Sequence, residues 1–154
     1  MKNYIDKSTR EIYAYESDGS QDAFIKEGLV PISDEDLAAM IAPTTEQLLS
    51  QLSAARKEQE RQGVTINGIR YAGDPGNRQA LQEAIEFMND AGLTEFPRFK
   101  DSDGAFHAEH PLADVMDAYR AIGARRVQLI TTEGDYAEQV VAGTLTDLTD
   151  LVWS

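Results

Sequence analysis

His107 and His110 stand three residues apart with Asp101 and Asp103 just upstream, and this is the one cluster of metal-ligand type in the sequence. Imidazole and carboxylate donors hold a divalent cation when a single element brings them to one side. Zinc sites of the H-E-x-x-H kind do so with histidines four apart on a helical face. Here the spacing is three and Pro111 follows at once, so the pair falls at a strand-to-helix junction. It reads as polar residues that finish a hairpin and open a helix. Asp101-Ser102-Asp103-Gly104 begins like a calcium loop, but it reaches glycine two positions early and lacks the acid at the twelfth position. A hairpin turn accounts for it.

Other chemistries find less support. The chain has no cysteine, which excludes disulfides, thiolate catalysis and cysteine-held zinc. Gly68, Gly73 and Gly76 do not have the dinucleotide-binding spacing, and no phosphate-binding loop is present. No G-x-S-x-G elbow accompanies either histidine. Carboxylate pairs are so abundant that no one pair is informative. Arg125-Arg126 reads as an intramolecular ion-pair partner on an acidic protein. The expectation is a protein without catalytic residues, cofactor or metal.

The formal net charge of -13 over 154 residues points the same way. Such a surface repels nucleic acid and anionic membranes, and suits solubility or a basic protein partner. The acids are spread out: residues 1–42 carry nine against four bases, and residues 111–154 seven against three. That spread argues against one concentrated face mimicking nucleic-acid phosphates. The first residues have no apolar signal-peptide core, and no apolar run approaches the ~20 residues of a membrane helix. A cytosolic protein is expected.

The elements are organised around Gly63–Tyr71, GVTINGIRY, a hairpin whose Asn67-Gly68 turn tolerates the positive φ of a type I′ turn. Upstream, two strands at Lys2–Ile5 and Glu11–Tyr15 form an opening hairpin. A helical turn at Gln21–Glu27 should point Phe24 and Ile25 inward. Leu29–Ile32 is a third strand, placed at an edge by Pro31. Ser33 caps a short helix that ends by Ala42-Pro43. Thr44–Gln62 is helical, with apolar residues only in its first half, at Leu48, Leu49, Leu52 and Ala55. A stripe that narrow suits contact with a single surface. It marks a connecting helix, or one that docks on a client or pairs with its copy in a homodimer.

Downstream, Asp74-Pro75 starts an amphipathic helix over Pro75–Asp90, closed by Gly92. Phe96–Lys100 and Ala105–His107 form a second hairpin. A long helix follows from Pro111, with Leu112, Val115, Met116, Tyr119, Ile122, Val127 and Ile130 at helical spacing. Glu133-Gly134-Asp135 should interrupt it before a further helix over Tyr136–Ala142. Leu148, Leu151 and Trp153 should then pack back. The expected fold is α+β: a small N-terminal antiparallel sheet with a short helix (1–42), a connecting helix (43–62), and a C-terminal domain of β-hairpins packed on about three helices (63–154).

GVTINGI at 63–69, the following helix, RFKDSDGAF at 98–106, and the helices from Leu112 and Tyr136 resemble a domain of unknown function. That domain closes many small proteins encoded directly after tail-fibre genes in phages and prophages. The resemblance covers about residues 56–153. Separately, the Tyr-rich opening and the GLVPISDED segment at 28–36 resemble the start of phage tail fibre assembly proteins. What these resemblances imply is a non-catalytic chaperone that binds a trimeric tail fibre protein in the bacterial host cytoplasm and promotes its folding, sometimes staying on the particle. The alternatives are a structural accessory of the tail or baseplate, and an acidic inhibitor or nucleic-acid mimic. Tyr4, Tyr13 and Tyr15 on the N-terminal sheet, with Leu48 and Leu52 on the helix, are the candidate partner-binding residues. Neither nucleic acid nor membrane is an expected partner.

Overall fold

The computed structural model describes residues 1–153 and divides the chain into two compact units, Met1–Pro43 and a second beginning at Thr44. In the first unit, strands β1 (Lys2–Asp6), β2 (Ile12–Tyr15) and β3 (Leu29–Ile32) form an antiparallel sheet in the order β2-β1-β3, followed by helix α1 (Asp34–Ile41). The β1–β2 turn is held by the Asp6 carboxylate, which accepts the backbone N–H groups of Ser8 and Thr9. Ser33 caps α1 by accepting the backbone N–H of Asp36 at 3.1 Å. Pro31 lies on the edge strand, where no ladder bond needs its missing N–H. The helical turn shrinks to the 3-10 segment Asp22–Phe24. Phe24 does not point inward; it is 73% exposed, because a single 3-10 turn offers it no second layer to pack on.

The second unit comprises helix α2 (Thr45–Gln62), hairpin β4–β5 (Val64–Ile66, Ile69–Tyr71), helix α3 (Pro75–Asp90), hairpin β6–β7 (Glu95–Lys100, Phe106–Pro111) and helix α4 (Leu112–Val141). The fold is α+β, with small antiparallel sheets and four α-helices among the described residues. Local chemistry sets the boundaries. Thr44 and Gln47 form a reciprocal capping box on α2. Asp74 caps α3, with Pro75 at its first position. Asn67 and Gly68 have φ of 50° and 81°, as a type I′ turn demands.

The sequence sets helix α2 apart as a connecting segment; in the structure it belongs to the second unit and packs along α4. Its narrow apolar stripe is answered within the chain. The core gathers Tyr71, Leu81, Val115, Ala118 and Ile122, with Phe96, Phe99 and the hairpin residues Val64, Ile66 and Ile69 against them.

Helix α4 corrects two further expectations. It runs unbroken for 30 residues through Glu133-Gly134-Asp135, so the expected helix at Tyr136–Ala142 is its last turns. A mid-helix glycine costs only about 1 kcal/mol. Buried Leu129 and Val140 anchor the helix on both sides, and Glu133 pairs with Arg56 of α2. The buried face is Leu112, Val115, Ala118, Ile122, Leu129 and Val140, whereas Val127 and Ile130 are exposed. His110 lies in β7, not at a helix start. The chain after α4 packs back through Trp153, whose ring meets Tyr136 edge-on at 5.8 Å.

Candidate functional site

The register of the N-terminal sheet decides what its faces offer. Tyr4 lies opposite Tyr13, and Lys2 opposite Tyr15, so all three tyrosines share one face. Tyr4 and Tyr15 meet edge-on at 5.6 Å, and the Lys26 ammonium sits 4.6 Å above the Tyr13 ring. The Tyr13 hydroxyl donates to Glu11 at 2.7 Å, a bond that holds its pKa above the ordinary value. The tyrosines are half-buried, accessible to a partner yet held in place.

The other face carries Ile5, Ile12, Ala14, Val30 and Ile32, paired across the strands. Ile12 is 40% exposed and Val30 37%. These aliphatic residues were not among the sequence candidates, although their alternation with the tyrosines was the available signal. No residue of Met1–Pro43 reaches full burial. Forty-three residues are too few to enclose a core unaided. A cleft of about 310 Å³ opens in this unit between the start of β1 and the β3–α1 junction, lined by Tyr4, Pro31 and Ile32 among others. Strand β2 is an edge whose outward backbone groups meet no other strand among the described residues. The opposite edge, β3, is blunted by Pro31.

The other two sequence candidates are elsewhere. Leu48 and Leu52 are 5% and 1% exposed, inside the second unit. They do not form a free stripe for a client, because α4 already occupies the surface they face. The tyrosines and these leucines therefore lie in different units.

The two histidines are each engaged. His107 Nε2 bonds Asp101 Oδ2 at 2.8 Å, and this bond holds the Asp101 carboxyl below the usual range, aided by the N–H groups of Ala105 and Asp103. His110 Nε2 and the Tyr71 hydroxyl share a buried hydrogen bond of 2.6 Å, and the His110 ring stacks on Phe99 at 4.5 Å. Burial pushes His110 below its ordinary pKa and Tyr71 up to about 12. Asp103 accepts two bonds from the Arg70 guanidinium at 2.7 and 2.9 Å, tying the two hairpins together. The calcium-like loop is thus a structural clasp. Among the described residues, no group of three or more histidines, cysteines or carboxylates is arranged to hold a metal.

Arg125 and Arg126 behave as the sequence reading expected of ion-pair partners only in part. Arg126 Nε lies 3.4 Å from the buried Glu60 carboxylate, whose other partner is Arg56, while Arg125 reaches Gln59 at 3.5 Å. Among the described residues no helix is long and apolar enough to cross a membrane.

Among curated proteins and among solved structures, nothing matches the chain significantly. One family model does match, over residues 43–152, which takes in α2, both hairpins of the second unit, α3 and α4. The matched stretch begins ahead of the segment that the sequence resemblance covered, at the residue preceding the α2 cap, in keeping with α2 being integral to this unit. The chain belongs to the family described as a domain of unknown function (DUF4376).

Proposed function

We propose that this protein is a non-catalytic assembly chaperone for a trimeric fibre protein of a phage or phage-tail-like particle, acting in the bacterial host cytoplasm. The observation that carries this reading is the first unit. It is a three-stranded sheet with a tyrosine face, an aliphatic face and an open β2 edge, and none of its residues is fully buried. A fibre chain folding into a β-rich trimer exposes strand edges and apolar faces before it closes. A sheet that needs covering and a client that needs shielding complement each other, by edge pairing at β2 and by contact with the tyrosines. In this reading the second unit is the stable body that carries the sheet. The resemblance of residues 1–42 to the opening of tail fibre assembly proteins supplies the identity of the client.

Co-expression with the fibre protein encoded immediately upstream tests this directly. Soluble trimeric fibre only in the presence of the chain is the expected result, with Tyr4→Asp/Tyr15→Asp reducing the yield of soluble fibre at least tenfold. Fibre that trimerises equally well alone, without association, sinks the proposal.

A further inference from the structure

The second unit gathers positive charge in one place. A cleft of about 250 Å³ opens where α2, the start of α3 and α4 meet, and five cations line it: Arg56, Lys57, Arg61, Arg78 and Arg126. Only two carboxylates, Glu60 and Asp74, share the lining. In the chain as a whole acids outnumber bases, 27 to 14. The cleft therefore reverses the balance of the surface around it.

The two carboxylates are already committed. Glu60, with 8% of its side chain exposed, takes Arg56 and, at 3.4 Å, the Arg126 Nε. Arg56 is further held by Glu133, so it forms the wall and has little left to offer a ligand. Asp74 accepts the backbone N–H of Asn77 as the cap of α3. The cations at the mouth are differently placed. Lys57 and Arg78 make no ion pair among the described residues. Arg61 meets only Glu58 at 3.3 Å, an exposed pair of the kind that contributes little. Behind them, Arg125 keeps its Nε buried without a hydrogen-bond partner among the described residues. Positive charge is left over where Glu60 already serves two arginines.

Like charges held together on three helices repel one another unless an anion joins them. The shape of the cleft selects which anion. Donors approach from α2 (Lys57, Arg61), α3 (Arg78) and α4 (Arg126). A tetrahedral oxyanion presents oxygens in all those directions, whereas a carboxylate offers two in one plane. The overall charge of -13 repels an extended polyanion such as nucleic acid. A compact anion inside the cleft feels mainly the charges within a Debye length, about 8 Å at physiological salt.

We infer that this cleft binds a compact phosphate-type anion, with Lys57, Arg61, Arg78 and Arg126 as its donors and Glu60 positioning the Arg126 guanidinium. The ligand ties α2, α3 and α4 together, so its binding stabilises the second unit by mass action.

Calorimetric titration of the full chain with orthophosphate and with pyrophosphate, in a phosphate-free low-salt buffer, tests this. Saturable one-to-one binding of pyrophosphate is expected, with a dissociation constant below about 1 mM, and a thermal midpoint that rises with its concentration. Lys57→Gln and Arg78→Gln should each weaken binding about tenfold. Their thermal midpoints without phosphate should match the unaltered chain, since neither side chain makes an intramolecular ion pair. Arg98→Gln removes an exposed cation elsewhere, changes the net charge equally, and should leave binding unchanged. Absence of binding, binding indifferent to the Lys57→Gln/Arg78→Gln double variant, or equal weakening by Arg98→Gln overturns the inference. Citrate binding where pyrophosphate does not overturns the assignment to phosphate.

Discussion

The Tyr71–His110 pair is where a single residue decides most. Both rings are buried, and each supplies the other's hydrogen bond. Tyr71→Phe removes one partner and leaves a buried imidazole nitrogen unsatisfied, which should destabilise the second unit by about 1–3 kcal/mol, read as a fall in thermal midpoint of several degrees. The pH dependence has two limbs. His110 resists protonation in the fold, so its contribution is complete above pH 6.5 and is lost as pH falls below that value and the unfolded chain gains a proton. Tyr71 is held neutral up to about pH 12, whereas an unfolded tyrosine ionises near 10. Its contribution is complete below pH 10 and declines between 10 and 12, by up to about 1.4 kcal/mol per pH unit. Thermal midpoints should form a plateau from about pH 6.5 to 10, and Tyr71→Phe should flatten the alkaline limb. An alkaline limb unchanged in that variant would exclude Tyr71 as its source. Gly73 is equally decisive by sterics: a Cβ there would lie 2.1 Å from the Glu60 carbonyl oxygen. Gly73→Ala should cost more than about 3 kcal/mol, measurable by denaturant unfolding.

At the scale of elements, α2 and α4 stabilise each other. Leu52 is 1% exposed, so Leu52→Ala should cost about 2–5 kcal/mol in urea unfolding. Leu48→Asp or Leu52→Asp should abolish folding of the second unit, and so cannot serve as selective tests of client binding. Gly134 shows the opposite sign. With open space around its Cβ, Gly134→Ala should raise the stability of α4 by up to about 1 kcal/mol, read by urea unfolding. A loss of stability there would reveal a contact on that face.

For the whole molecule, the two units differ in how well they are closed. The second has a contiguous core of buried side chains, and the first has none. Hydrogen exchange on the intact chain should therefore find the amides of residues 1–43 opening far more readily than those of α4, and should find β1–β3 protected when a client covers the sheet. Uniformly slow exchange across both units would contradict an open first unit.

Sequence alone determined whatever depends on a few neighbouring residues. The capping of α1, α2 and α3 by Ser33, Thr44 and Asp74, the Asn67-Gly68 turn and the edge placement of Pro31 all rest on local dihedral preference and short-range hydrogen bonding, which operate before any tertiary contact exists. The tyrosine face followed from the period of a strand, although the aliphatic face behind it was overlooked. Tertiary structure decided everything that depends on what lies opposite. A narrow stripe at Leu48 and Leu52 is identical on paper whether a client or α4 covers it. Val127 and Ile130 have helical spacing whether they face the core or solvent. Glu133-Gly134-Asp135 reads as a break until Leu129 and Val140 are seen anchoring the helix on either side. His110 reads as a polar residue finishing a hairpin, and only the fold brings Tyr71, 39 residues away, onto its nitrogen. The physical reason is common to all four: burial is a relation between distant parts of the chain, and the packing free energy it contributes outweighs the local preferences that a sequence displays.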